Sequence, residues 1–189
     1  MNKIITTILI FFFSIYLNAQ TIQGYSFANY KCEISKATKR VMPNSKEMEG
    51  IFMRGDDVEN KKNMLKYFKT TKINFGGFYI SYMDGCGSSC VYGMMLDIRS
   101  GKIYGLPLGG VGESQGVNSC SEGFEDEEEI FNFKPNSKLF IALGCGMDYL
   151  ENNKYVAKKT YYITIWNEQK KKFEKLKTVN KNVKGTSKN

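Results

Sequence analysis

The stretch from Asn74 to Leu106 constrains the chain more than any other. Phe78, Ile80 and Tyr82 alternate with Tyr79, Ser81 and Met83, the period of two expected of a β-strand with aromatic and β-branched side chains. Asp84 to Ser89 is rich in glycine and reads as a connection, and Val91 to Ile98 reads as the returning strand. Arg99-Ser100-Gly101-Lys102 has the chemistry of a tight turn, because glycine tolerates positive φ. Ile103 to Leu106 then closes a three-stranded meander.

Other segments extend this pattern. Ile130–Phe133, the turn Lys134-Pro135-Asn136-Ser137 and Leu139–Leu143 predict a second hairpin. Lys159–Asn167 and Lys172–Val179 predict a third. Tyr30, Cys32 and Ile34 alternate as one face of an early strand, and Pro43-Asn44-Ser45 reads as a turn. Asp56 to Thr70 is the best helix candidate, with Val58, Met64, Leu65 and Phe68 as its apolar stripe and Lys69 suited to its C-terminal dipole. The expected fold is therefore mainly β, with antiparallel hairpins forming a curved sheet, sandwich or small open barrel, and one short helix. Gly85-Cys86-Gly87 and Gly144-Cys145-Gly146 each follow a strand and suggest two sharp corners around cysteines.

The N-terminus reads as an address. Lys3 precedes the apolar run Ile4–Leu17, and Leu17-Asn18-Ala19 offers a small residue for cleavage. The run is shorter than the ~20 residues that span a bilayer. The expected organisation is a signal peptide over 1–19, one β-rich domain over 20–179 and a disordered basic tail over 180–189. The expected compartment is periplasmic or secreted, with no stable membrane span after cleavage.

Chemistry narrows further. The 189-residue chain contains no histidine, which removes Ser-His-Asp and Cys-His nucleophilic machinery and most zinc sites. Gly109, Gly110, Gly112 and Gly116 miss both the P-loop and the dinucleotide fingerprint, so no cofactor is expected. Glu122, Glu125, Asp126, Glu127, Glu128 and Glu129 lack the alternating ligands of a calcium loop and read as a solvated acidic edge.

The formal net charge is +8, and cleavage after Ala19 removes Lys3 alone among the charged residues. No nucleic-acid motif accompanies this charge, so an envelope or extracellular protein partner is expected rather than nucleic acid. Lys170, Lys171, Lys172, Lys175 and Lys177 form the candidate interaction surface. Export permits disulfides, and five cysteines leave at least one unpaired within a chain. Cys86, Cys90, Cys120 and Cys145, in expected loops, are the disulfide candidates, with Cys32 left over.

The order Asn74-Phe75-Gly76-Gly77-Phe78-Tyr79, Gly85-Cys86-Gly87-Ser88-Ser89-Cys90, Asp97 with Ser100-Gly101-Lys102, and Tyr161-Tyr162 with Trp166 resembles an uncharacterised family of small exported bacterial proteins. Members carry Asn-Phe-x-Gly-x-Tyr, Gly-Cys-Gly-x-x-Cys and Asp-x-x-x-Gly patterns, with a histidine where Phe78 stands here. The resemblance implies architecture and compartment, not activity.

Three functions fit. The first is a non-enzymatic exported binding protein, of inhibitor or immunity type. The alternatives are a thiol-redox protein using Cys86 and Cys90, and a hydrolase of envelope polymers using carboxylates such as Asp84, Asp97 and Asp148.

Overall fold

The structure, a computed structural model, describes residues 21–37, 39–49, 58–87, 90–108, 117–118, 129–149 and 155–183. In chain order the elements are β1 (Thr21–Ile22), β2 (Tyr25–Ser26), a 3-10 turn (Phe27–Tyr30), α1 (Ser45–Glu49), α2 (Val58–Thr70), β3 (Tyr79–Gly87), β4 (Cys90–Asp97), β5 (Ile103–Gly105), β6 (Val117–Asn118), β7 (Phe131–Phe133), β8 (Leu139–Tyr149), β9 (Tyr155–Asn167) and β10 (Lys172–Val183). The fold is mainly β, as expected. β1 and β2 form a small hairpin, β3-β4-β5 with β6 form one sheet, and β10-β9-β8-β7 form another. All strand pairs are antiparallel.

Alternation of side chains across the strands explains the layering. Ile80, Tyr82, Met94, Leu96 and Ile98 on one face of the β3–β5 sheet pack with Met64 and Phe68 of α2. Tyr79, Met95, Leu106 and Leu108 on its other face meet Phe140, Ala142, Trp166 and Phe173 of the second sheet. The far face of that second sheet, with Leu139, Ile141, Leu143 and Ile163, is covered by Phe27, Ile22, Tyr25 and Tyr30. The order of layers is therefore helix, sheet, sheet, N-terminal segment. Both large sheets are sandwiched, which is why β3 and β8 are apolar on both faces.

Several boundaries differ from the sequence reading. β3 runs through Gly85-Cys86-Gly87, and β8 runs through Gly144-Cys145-Gly146, which pairs with Lys158–Thr160. Neither triplet is a corner: Gly144-Cys145-Gly146 pairs with β9 throughout, and Gly85-Cys86-Gly87 stays in β3 with a register shift between its two glycines. Tyr30 to Ile34 forms no strand. A 3-10 turn ends at Tyr30, and Lys31 makes an isolated bridge to Ser137. Asn44 begins a helix rather than a turn, its Oδ1 accepting from the Glu47 amide at 3.0 Å. β10 continues beyond the Val179 boundary to Val183, paired with Ala157. Val58 is exposed, whereas Met64 and Phe68 carry the buried stripe of α2. Arg40 closes the end of that helix, its Nη1 donating to the carbonyls of Phe68, Lys69 and Thr71 at 2.8, 3.1 and 2.7 Å.

The Asn74–Gly77 segment is a docking turn. Asn74 lends its side-chain amide to the strand, accepting from Ser81 N at 2.7 Å and donating to Ser81 O at 3.0 Å. Gly76 N and Gly77 N donate to Ser137 O and Pro135 O, and Gly77 O accepts from Ser35 N. Gly77 sits at φ +81°, and a Cβ there would lie 2.2 Å from the Glu33 carbonyl oxygen. Only glycine fits such an approach. Among the described residues, no helix is long and apolar enough to cross a membrane.

Candidate functional site: a polar clasp and an open basic edge

Two hairpin turns from different sheets meet at one end of the sandwich. The first, Asp97–Gly101, joins β4 to β5. The Asp97 carboxylate accepts from the Arg99 amide at 3.0 Å, and Gly101 closes the turn at φ +74°. The second, Asn167–Lys171, joins β9 to β10. Asn167 Oδ1 accepts from the amides of Gln169 and Lys170, and Lys171 closes the turn at φ +50°. The turns share one design, an Asx residue at the start and a left-handed residue at the end.

Between them lies a network centred on Tyr79, which is fully buried. Its hydroxyl donates to Glu168 Oε2 at 2.6 Å. Trp166 Nε1 lies 2.9 Å from the Tyr79 oxygen and 2.8 Å from Glu168 Oε2. Arg99 grips Asp97 with two donors, Nε to Oδ1 at 2.8 Å and Nη2 to Oδ2 at 2.6 Å. The same Nη2 reaches Glu168 Oε1 at 2.5 Å. Lys171 Nζ completes the cluster by pairing with Glu168, lying 3.5 Å from Asp97 Oδ2 and 3.2 Å from Tyr79 Oη. The Arg99 guanidinium also lies 4.1 Å above the Phe78 ring. Two cations face two carboxylates, so the cluster balances its charge.

Electrostatics follow from this geometry. Burial alone would raise the Glu168 carboxyl, but hydrogen bonds from Lys171, Tyr79, Arg99 and Trp166 outweigh it and bring the pKa down to about 2. Burial likewise opposes ionisation of Asp97, and the Arg99 side chain and amide prevail, leaving its pKa lowered. Burial, then the hydrogen bond to anionic Glu168, raises the Tyr79 phenol well above its ordinary value of 10. At neutral pH the cluster therefore holds two ionised carboxylates and a neutral phenol. A glycosidase needs one carboxyl held protonated as general acid, and this pair is tuned the opposite way. Its lone pairs are already occupied by donors, so the arrangement is a clasp between sheets.

The other sequence-selected residues lie elsewhere. Asp84 accepts from Tyr82 Oη at 2.7 Å on the helix-side face of the first sheet. Asp84 lies opposite Tyr92 and Asp97 opposite Tyr79, so these two stand towards opposite ends of the β3–β4 ladder, and the backbone of Asp148 is near the end of β8. The backbones of Cys86 and Cys90 lie in β3 and β4, with Gly87 opposite Cys90. This is a β-hairpin, not the helix N-terminus that lowers a redox thiol's pKa. Cys32 is a free thiol. The side chains of Cys86 and Cys90, and all of Cys120, lie outside the described residues, as do Gly109 to Gly116 and Glu122 to Glu128.

The lysine group divides. Lys171 turns into the clasp, and Lys170 pairs with Glu174 at 2.8 Å. Lys172, Lys175 and Lys177 are exposed on β10, which ends its sheet, and exposed Lys181 extends the row. Lys181 also lies 5.6 Å over the Tyr161 ring, beside a shallow groove lined by Ile22, Gln23, Glu129 and Asn132. Sequence reasoning missed Tyr79, Arg99, Trp166 and Glu168 as one cluster. Its only local signals were the two Asx-initiated turns, and nothing in sequence pairs turns so far apart.

The geometry defines a layered β protein whose two main sheets are joined by a partly exposed ion-pair cluster and whose last described strand, with no strand on its other side among the described residues, carries a basic edge. Comparison with family models, with characterised proteins and with solved structures finds no match for the chain.

Proposed function

We propose that the chain is an exported, non-enzymatic interaction protein, of inhibitor or immunity type, acting on an envelope or extracellular protein. The observation that carries this reading is the edge of β10, where Lys172, Lys175, Lys177 and Lys181 are exposed and no further strand pairs among the described residues. A clasped sandwich holds such an edge in fixed geometry at little entropic cost on binding. The state of the clasp adds support, since its carboxylates are held ionised and committed to the Arg99, Lys171, Trp166 and Tyr79 donors, and neither is kept protonated as a general acid.

The test is cell fractionation followed by cross-linking. The expected result is a chain lacking residues 1–19 outside the cytoplasm, cross-linked to a protein partner through β10 lysines. A cytoplasmic chain with its N-terminus intact would overturn the export reading. Hydrolytic activity on envelope polymers, abolished by Glu168→Gln in a folded protein, would overturn the non-enzymatic one.

A further inference from the structure

We infer that the edge of β10 accepts an acidic, extended polypeptide segment as an added β-strand. This rests on the interaction reading above and names the partner's chemistry.

β10 is a 12-residue strand with four lysines and one glutamate. It pairs with β9 on one side, and among the described residues its other side carries no strand. A terminal strand leaves alternate N–H and C=O groups pointing outward, a ready template for another chain. Residues directly opposite in a sheet share a face, so the register shows where each lysine stands. Lys172, Lys177 and Lys181 lie opposite Asn167, Ile163 and Lys159, on the face covered by the N-terminal segment. Lys175 lies opposite Thr164, on the same face as Phe173 and Trp166. A register shift between Lys175 and Lys177 brings this division about. The positive charge therefore flanks both faces of the edge.

This distribution selects the occupant. An added strand lies about 4.8 Å away and sends its side chains alternately to the two faces. Carboxylates on both of its faces would meet lysines on both faces of β10. A second copy of β10 would bring lysine against lysine, which is destabilising. The row thus rejects self-pairing, the hazard of an open edge, and admits a strand of opposite charge. A polyanion without a peptide backbone would gain the charge attraction and forgo the main-chain hydrogen bonds.

The test uses purified protein and a fluorescent 12-residue peptide of repeating Glu-Glu-Thr-Thr, which as a strand carries carboxylates on both faces. Three comparisons are a copy N-methylated at alternate amides, a lysine-for-glutamate copy, and heparin as competitor. The expected result is binding by the acidic peptide, weakened at least about tenfold by N-methylation and by Lys175→Glu with Lys177→Glu and Lys181→Glu. The substituted protein, folded by circular dichroism, should instead bind the lysine peptide. Equal binding of the methylated and unmethylated acidic peptides would overturn strand addition, and this control needs no variant to fold. Failure of the acidic peptide to bind at low salt would overturn it too. Neither result depends on where the protein resides, so export and peptide recognition fail separately.

Discussion

The hydroxyl of Tyr79 meets the carboxylate of Glu168 at 2.6 Å, although 89 residues separate them. One belongs to the first strand of the first large sheet and the other to the last turn of the second. Removing either partner leaves a polar group in the interface without its mate. Tyr79→Phe should lower stability by about 1–3 kcal/mol in denaturant titration, with the slope unchanged. A loss below about 0.5 kcal/mol would show that Trp166, Arg99 and Lys171 hold Glu168 without the phenol.

The clasp also sets the response to acid. Glu168 and Asp97 are both held below their ordinary values of 4.5 and 3.8, Glu168 at about 2. Depressed carboxylates contribute fully above the unfolded pKa and lose that contribution as pH falls through the folded one. Stability should therefore decline from about pH 5 towards pH 2. Glu168→Gln should flatten part of that decline, with Asp97 supplying the remainder. Superposable pH–stability curves for the two proteins would contradict the assignment.

Lys171 occupies the left-handed position that Gly101 fills in the matching turn. A non-glycine residue there is strained, and the ion pair with Glu168 offsets the strain. Lys171→Ala should destabilise more than Lys171→Gly, because alanine keeps the strain while losing the cation. Thermal melts of the two variants decide the order, and the reverse ranking would show that the turn is unstrained.

Gly77→Ala should be severe. The new Cβ would press on the Glu33 carbonyl at 2.2 Å and hold an L-residue at φ +81°. The expected cost exceeds about 2 kcal/mol. Gly105→Ala, where a Cβ meets nothing within 4 Å, serves as the mild comparison. Equal melting temperatures for these two variants would contradict the docking role of the turn.

Cys32 is a free, half-buried thiol whose pKa is raised by burial above its ordinary 9.0. It should alkylate slowly in the folded protein and quickly after unfolding. We propose that disulfides among Cys86, Cys90, Cys120 and Cys145 are structural. Peptide mapping without reduction names the pairs, and fast-reacting free thiols at all four positions would end that proposal.

The sequence carried the β class, the major hairpins and the helix, because period-two and helical patterns are local. It placed Phe78, Ile80 and Tyr82 opposite Tyr79, Ser81 and Met83, and the structure buries Ile80 and Tyr82 in one core and Tyr79 in another. The glycine triplets misled, since their conformational freedom was overridden by neighbouring strands that local pattern does not reveal. The clasp was hidden for a similar reason. Asp97 was singled out for possible catalysis, but Arg99 and Glu168 acquire meaning only when two sheets bring their turns together. The lysine run was visible as charge, whereas the inward turn of Lys171 depends on one left-handed φ.

The N-terminal cover has a consequence for the timing of folding. Phe27, among the first residues of the described domain, packs with Leu139, Ile141 and Ile163, which lie in strands synthesised late. The helix and the first large sheet comprise consecutive segments and can assemble from nearby chain, but the second sheet stays bare on its outer face until both ends of the polypeptide are present. Closing so long a loop is slow. In a chain of this topology the core beneath the N-terminal segment is therefore the last to close, after β8 and β9 are made.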